Sequence, residues 1–264
     1  MADKSINEQY FNTAVIIANR LSIIRSIEMI NLIGSVANGN SDKYSDIDLL
    51  VFYKQKPTNS QLQKALQVLV INKFQLNGNK FHIHLCINNT HITLLFIPFN
   101  YIKKLVFRYP CISYEEYKDL FTYFVQAYLL FGDKKLFLSW KRKTKTIPKF
   151  IKKDVILNCF ASLNFWFSQS NLLFQAKRKD WLFVYRVIHI GIEYILTVIY
   201  LINNQVFINS KRAKLRIIKM KKKPSSISLK LEKLIKMENS YFNIKRKVKI
   251  VNEIITDLKI IANL

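Results

Sequence analysis

The stretch from Ile30 to Phe52, INLIGSVANGNSDKYSDIDLLVF, constrains this chain more than any other. An apolar run interrupted by Asn31 leads into Gly34-Ser35. A short polar segment follows, then Ser45-Asp46-Ile47-Asp48 and a second apolar run, Leu49 to Phe52. The pattern predicts a strand, a tight glycine turn, a short helical turn, a loop and a second strand. Residues two apart in a strand project to the same face, so Asp46 and Asp48 stand side by side while Ile47 faces the core. Two adjacent carboxylates repel, and a purely structural strand has no use for them. A hard divalent cation removes that cost, and Mg²⁺ is characteristically held by one or two carboxylates together with substrate phosphates. Gly34 lets backbone approach closely, and Ser35 stands where amides at a helix start can cradle a phosphate.

This stretch resembles the signature of the DNA polymerase beta-like nucleotidyltransferase superfamily: an apolar strand ending in Gly-Ser, about ten residues, then Asp-apolar-Asp opening the next strand. The run Ser45-Asp46-Ile47-Asp48-Leu49 looks most like the branch containing antibiotic (aminoglycoside- and lincosamide-type) and minimal nucleotidyltransferases. The resemblance implies an α+β fold, a small mixed-sheet nucleotidyltransferase domain followed by an all-α helical bundle. It implies Mg²⁺ on Asp46 and Asp48, ATP or another NTP gripped by Gly34, Ser35 and Ser45, and a small-molecule acceptor. The alternative implications are transfer to a protein or an RNA, or nucleotide binding without catalysis.

Half of the 264 residues are hydrophobic, enough for a sizeable core. Cys86, Cys111 and Cys159 have no metal-ligand spacing and read as free buried thiols of a reducing, cytoplasmic setting. The polar start, MADKSINEQYF, is unlike a signal peptide. Lys and Arg number 42 against 17 Asp and Glu. Such an excess suits nucleotide, nucleic acid or acidic partners.

Apolar positions at helical spacing predict a helix over residues 5–28, and Gln61 to Phe74 reads as another. Asn77-Gly78 is a hairpin signal leading into the alternating Phe81 to Ile87, and His91 to Ile97 is the next strand. In the resembled family this last strand supplies a third carboxylate, and the slot aligned with it is Thr93. No Asp or Glu occurs from residue 49 to residue 114. His82 and His84 share one face of their strand, either lining a cleft or standing as outer-face residues of an exposed hairpin.

The pattern changes near residues 100–115, which divides the chain into domains 1–110 and 111–264. Ser113 is a helix N-cap with Glu115-Glu116 in the first turn, for a helix running to Phe131 and ended by Gly132. The run LSWKRKTKTIPKFIKK reads as a solvated loop and helix face. Its functional alternative is an RNA or phosphate contact with Trp140 and Phe150 as stacking partners. Asp154 to Phe174 and Asp180 to Ile202 are further helices. The second has the length of a membrane span, but Arg186, His189 and Glu193 interrupt it on one face, at i, i+3 and i+7, with Tyr200 continuing the stripe. A bundle helix is the reading, with no membrane partner. Glu193 is the candidate proton acceptor, or else half of a structural pair holding the bundle. The tail YLINNQVFINSKRAKL resembles the turn after the long helix of the C-terminal bundle in antibiotic nucleotidyltransferases. Ile227 to Met237 and Val248 to Ile261 close the bundle.

Overall fold

The structure, a computed structural model, describes residues 4–66, 81–87, 89–168 and 171–264. The chain divides into two compact units, Met1–Thr146 and Ile147–Leu264. In chain order the first holds α1 (Lys4–Leu21), β1 (Ile27–Ile33), α2 (Gly34–Ala37), β2 (Ile47–Tyr53), α3 (Asn59–Leu66), β3 (Phe81–Ile87) and β4 (Thr90–Pro98). After these come α4 (Phe99–Arg108), α5 (Tyr114–Leu120), a π-helical turn (Phe121–Val125), β5 (Tyr128–Gly132) and α6 (Lys134–Thr144). The expected Asn77-Gly78 turn and the second half of the helix read over 61–74 lie outside the described residues.

The five strands form one mixed sheet in the order β3-β4-β2-β1-β5. β2 pairs antiparallel with β1 and parallel with β4, and β3 and β5 add antiparallel edges. One face carries Ile30, Leu32, Ile47, Leu49, Val51, Ile92, Leu94 and Phe96, packed with α1 and α3 residues such as Ile17, Leu21 and Leu62. The other face is covered at one end by aromatics. Phe52 stacks on Phe124 at 6.0 Å between centroids, and Trp140 meets Phe124 edge-on at 5.2 Å. Asn31, wholly buried on β1, donates its amide to the Tyr123 carbonyl at 2.8 Å and so ties the π-helical turn to the sheet.

The structure departs from these expectations in four places. Ser113 does cap a helix, with a full capping box to Glu116. That helix ends at Leu120, however, and Tyr128–Gly132 is not helical but an edge strand on β1. Residues 111–146 therefore build the first unit rather than the bundle. The α1 helix stops at Leu21, and Ile24 and Ile27 are buried from the turns and the strand that follow. Of the cysteines only Cys159 is buried, and burial pushes its thiol up to about 12. Cys111 is exposed and Cys86 half-buried, and all three are free.

The second unit is helical: α7 (Lys149–Trp166), α8 (Asn171–Lys177), α9 (Trp181–Ile202), α10 (Ala213–Ile218), α11 (Ile227–Lys236) and α12 (Tyr241–Ala262). Among the described residues α9 is the one helix long and apolar enough to cross a membrane. Asp180 caps it, accepting from the Phe183 amide at 3.2 Å, and its buried line Val184, Val187, Ile188, Gly191, Ile195 and Val198 packs in the bundle. Asn203 ends α9 and clamps the later basic loop, accepting from the Lys222 amide at 3.0 Å and donating to its carbonyl at 2.6 Å. Lys247 is buried in α12 with its ammonium on Asn239 Oδ1 at 2.8 Å.

Two stability outcomes follow from this packing. A methyl added at Gly191 would lie 2.4 Å from Phe167 Cε2, deep in the bundle. Gly191→Ala should cost roughly 1–3 kcal/mol by overpacking, measured by urea unfolding, with Phe167→Leu recovering part of it. Burial lowers the Lys247 pKa below its ordinary 10.5. Between the folded and unfolded values the unfolded chain binds more protons, so the wild type gains stability as pH rises through that window. Lys247→Met should therefore be more stable than wild type at neutral pH, with the difference shrinking as pH approaches 10.5.

Candidate functional site

Asp46 immediately precedes β2 and Asp48 is its second residue, with Ile47 completely buried between them. Both carboxylates are half-buried on the face opposite the α1–α3 core. Hydrogen-bonded register then sets what lies beside Asp48. Ile33 of β1 pairs with it on one side and Thr93 of β4 on the other, and Thr93 in turn pairs with His84 of β3. Partners in register share a face of the pleat. One row across the sheet therefore reads Ile33, Asp48, Thr93, His84.

Gly34 follows Ile33 directly and turns the chain at φ +75°. A side chain there would place its Cβ 2.7 Å from Asp48 Oδ2. The turn backbone is thus seated against the carboxylate, and only glycine permits both the dihedral and the approach. Ser35 opens α2, whose end is closed by the Asn40 amide on the Ser35 carbonyl at 2.9 Å and by Asn38 Nδ2 on the Gly34 carbonyl at 2.8 Å. Val36 anchors the turn in the core.

The loop into β2 is held by residues the sequence reading passed over. Ser41, wholly buried, donates to Asn7 Oδ1 of α1 at 2.6 Å. Asp42 and Ser45 close a turn: the Ser45 amide meets the Asp42 carbonyl at 2.9 Å and the Ser45 hydroxyl donates to Asp42 Oδ1 at 3.1 Å. The Ser45 hydroxyl, expected at the nucleotide, is thus engaged in shaping the loop that presents Asp46. A buried serine in a polar stretch leaves no periodic signal, which is why Ser41 was not legible.

Thr93 occupies the row position expected of it, and its Oγ1 lies 3.3 Å from His84 Nδ1. The His82 and His84 rings stack at 6.3 Å between centroids, which confirms their shared face. Glu193 belongs to the second unit. It pairs with His189 at 3.7 Å on an open side of α9, the two side chains being 44% and 68% exposed. The stripe does not continue outward, since Tyr200 is buried against Phe207. Trp140 is also buried, in the aromatic layer of the first unit, and so is no stacking platform, whereas Phe150 is exposed.

Among the described residues no three His, Cys, Asp or Glu side chains come together as a metal cage. Asp46 and Asp48 alone make an oxygen-only, two-carboxylate donor set. That set fits Mg²⁺, which keeps several waters and takes the rest of its shell from phosphates. Zinc sites in proteins characteristically use His and Cys ligands, and none joins this pair among the described residues.

Gly34→Ala should weaken Mg²⁺-dependent ATP binding at least tenfold in calorimetry, and the positive φ adds a stability loss of about 1–2 kcal/mol. Unchanged ATP affinity would make the turn purely structural.

Residues 16–97 match the sequence model of the family described as Polymerase beta, Nucleotidyltransferase. No curated protein matches the chain. Among solved structures it is similar to a nucleotidyltransferase-like protein from Exiguobacterium sibiricum 255-15, with 11% identity, a TM-score of 0.43, and coverage of 91% of this chain and 70% of that one. It is also similar to spectinomycin adenyltransferase AAD(9) from Enterococcus faecialis, solved with ATP and spectinomycin, with 12% identity, a TM-score of 0.40, and coverage of 97% and 100%. The matched span runs from α1 through β4 and contains the Gly34 turn, both aspartates and Thr93, so the first unit carries a nucleotidyltransferase domain of the polymerase beta family.

Proposed function

We propose that this chain moves a nucleoside monophosphate from ATP or another NTP to a hydroxyl of a small-molecule acceptor. The observation that carries the reading is the Gly34 turn seated against Asp48, with Asp46 one side chain away across the buried Ile47. Asp46 and Asp48 would hold Mg²⁺, which when bound stabilises the charge on the transferring phosphoryl and the leaving pyrophosphate. The Gly34-Ser35 turn offers backbone amides and a hydroxyl to the phosphates, and the missing side chain at Gly34 leaves them room to approach. The Asp42–Ser45 turn and the Ser41–Asn7 bond fix the loop, so Asp46 arrives at the site without ordering cost. The run Ser45 to Leu49, with its likeness to the antibiotic branch, supports the small-molecule acceptor. The +25 charge supports phosphate-bearing partners and keeps RNA among the acceptors to be tried. Free thiols and the use of ATP accord with a cytoplasmic setting.

Thr93 beside Asp48 favours a second reading, nucleotide binding without transfer. The two are separated by incubating the protein with α-labelled ATP and Mg²⁺ against aminoglycosides, lincosamides, tRNA and a protein extract. Label moving to one acceptor class supports transfer, and ATP binding with no label moved supports the second reading. Asp46→Asn and Asp48→Asn should each abolish Mg²⁺-dependent ATP binding and leave the melting temperature equal or higher, because a repelling charge is gone. Wild-type affinity in both variants would overturn the site itself.

A further inference from the structure

Transfer to a hydroxyl releases a proton, and a group within hydrogen-bond reach must receive it. The two aspartates are committed to the cation, and residues 49 to 114 contain no other carboxylate. The row through Asp48 ends instead at His84, on the edge strand of the sheet. We propose that His84 is the proton acceptor of the transfer reaction, steered by Thr93. The proposal rests on the reading given above for Asp46, Asp48 and Gly34.

Three observations lead there. His84 lies two strands from Asp48 in one register row, a span of about 10 Å between backbones at the usual strand spacing, which side chains from both ends can bridge through a bound acceptor. Its Nδ1 lies 3.3 Å from the Thr93 hydroxyl, so the ring has a fixed edge and Nε2 is the nitrogen left to meet a substrate. His84 is exposed, whereas residues 83 and 85 on either side of it are buried, so the strand anchors the ring while leaving it reachable. The titratable groups around it are His82 on its own strand, with ring centroids 6.3 Å apart, His91 on the same face of β4, and Asp48 beyond Thr93.

In the step, the acceptor oxygen forms a bond to the α-phosphorus of the NTP. The bond from that phosphorus to the β-phosphate bridging oxygen breaks, and its electron pair leaves on pyrophosphate. The hydroxyl proton passes to His84 Nε2, and the resulting imidazolium returns it to water.

Two measurements test this. The His84 imidazole NMR signals, assigned by their loss in His84→Gln, should shift when Mg²⁺ and ATP are added to wild type and stay put in Asp48→Asn. Signals that do not move while wild type binds ATP would overturn the proposal. In the transfer assay, with the panel acceptor that takes label fastest, His84→Gln should lower kcat about 10²- to 10⁴-fold with ATP affinity within twofold. The wild-type kcat–pH profile should carry an acidic limb that disappears in His84→Gln. Adding Thr93→Asp to His84→Gln should restore at least tenfold and bring back an acidic limb at lower pH, where carboxylates titrate. Wild-type turnover in His84→Gln, loss of the limb in Glu193→Gln instead, or a wild type that binds ATP and labels no acceptor would each overturn it. A wild type that binds no Mg²⁺–ATP would sink the underlying nucleotide site, a different failure.

Discussion

The approach of the Gly34 backbone to the Asp48 carboxylate is the contact on which the first unit depends. It exists because β1 and β2 pair with Ile33 opposite Asp48, so the residue after Ile33 must turn beside that side chain. A Cβ at Gly34 would come within 2.7 Å of Oδ2, and the φ of +75° is one that other residues adopt only with strain. The register is in turn fixed by burial. Slipping β2 by one residue would send Ile47, Leu49 and Val51 out of the α1–α3 core and drive both aspartates into it. Charge burial without a partner is the costlier of those two errors. The site and the core therefore specify each other.

The opposite face of the same strands changes character along their length. On β2 the sequence of side chains is Asp48, Leu50, Phe52, and on β4 it is Thr93, Leu95, Ile97. The apolar end is roofed by the π-helical turn and α6 through Phe124, Phe137 and Trp140. Asn31 pins that roof, and β5 extends the sheet beneath it. Since the roof contacts described here gather at Phe52, the polar ends of β2, β4 and β3 form one patch. A polar patch beside an apolar layer is the arrangement in which carboxylate positions are held by packed strands rather than by loops.

How far this was legible in the sequence follows from which residues carry local signals. The two apolar runs, the glycine turn and the alternation around Ile47 are local, and they placed Gly34, Ser35 and Asp48 on their elements, with Asp46 one residue ahead of β2. Ser113 was legible as a cap for the same reason. The segment from Ser113 to Phe131 misled because its apolar residues satisfy helical spacing as well as the strand it becomes, and the deciding partner is β1, about a hundred residues earlier in the chain. A run of lysines made Trp140 a candidate stacking partner, yet it lies on the buried face of α6 with Phe137 and Thr144. Ser45 was assigned to the nucleotide, while its hydroxyl is engaged by Asp42 three residues away, a pairing that spacing alone does not distinguish from a free serine. The row Asp48, Thr93, His84 needed strand order, which no single strand encodes.

That row also bears on why threonine can stand beside Asp48. Asp46 and Asp48 already stand either side of the buried Ile47, on one face of the chain, and carboxylates so placed repel. A third carboxylate at residue 93 would sit one strand spacing from Asp48, about 4.8 Å between backbones, and add to the charge that one divalent ion must offset. Threonine adds none. Its hydroxyl can donate to one neighbour and accept from another, and in this structure it reaches the imidazole of His84. An imidazole is neutral when ready to accept a proton and becomes positive only after accepting it, next to phosphates whose charge it then balances. Threonine therefore keeps negative charge down beside Asp48, and in the proposed transfer positive charge would appear on the imidazole only once it accepts a proton. A strongly basic chain with two carboxylates at the proposed nucleotide site is consistent with that economy of negative charge.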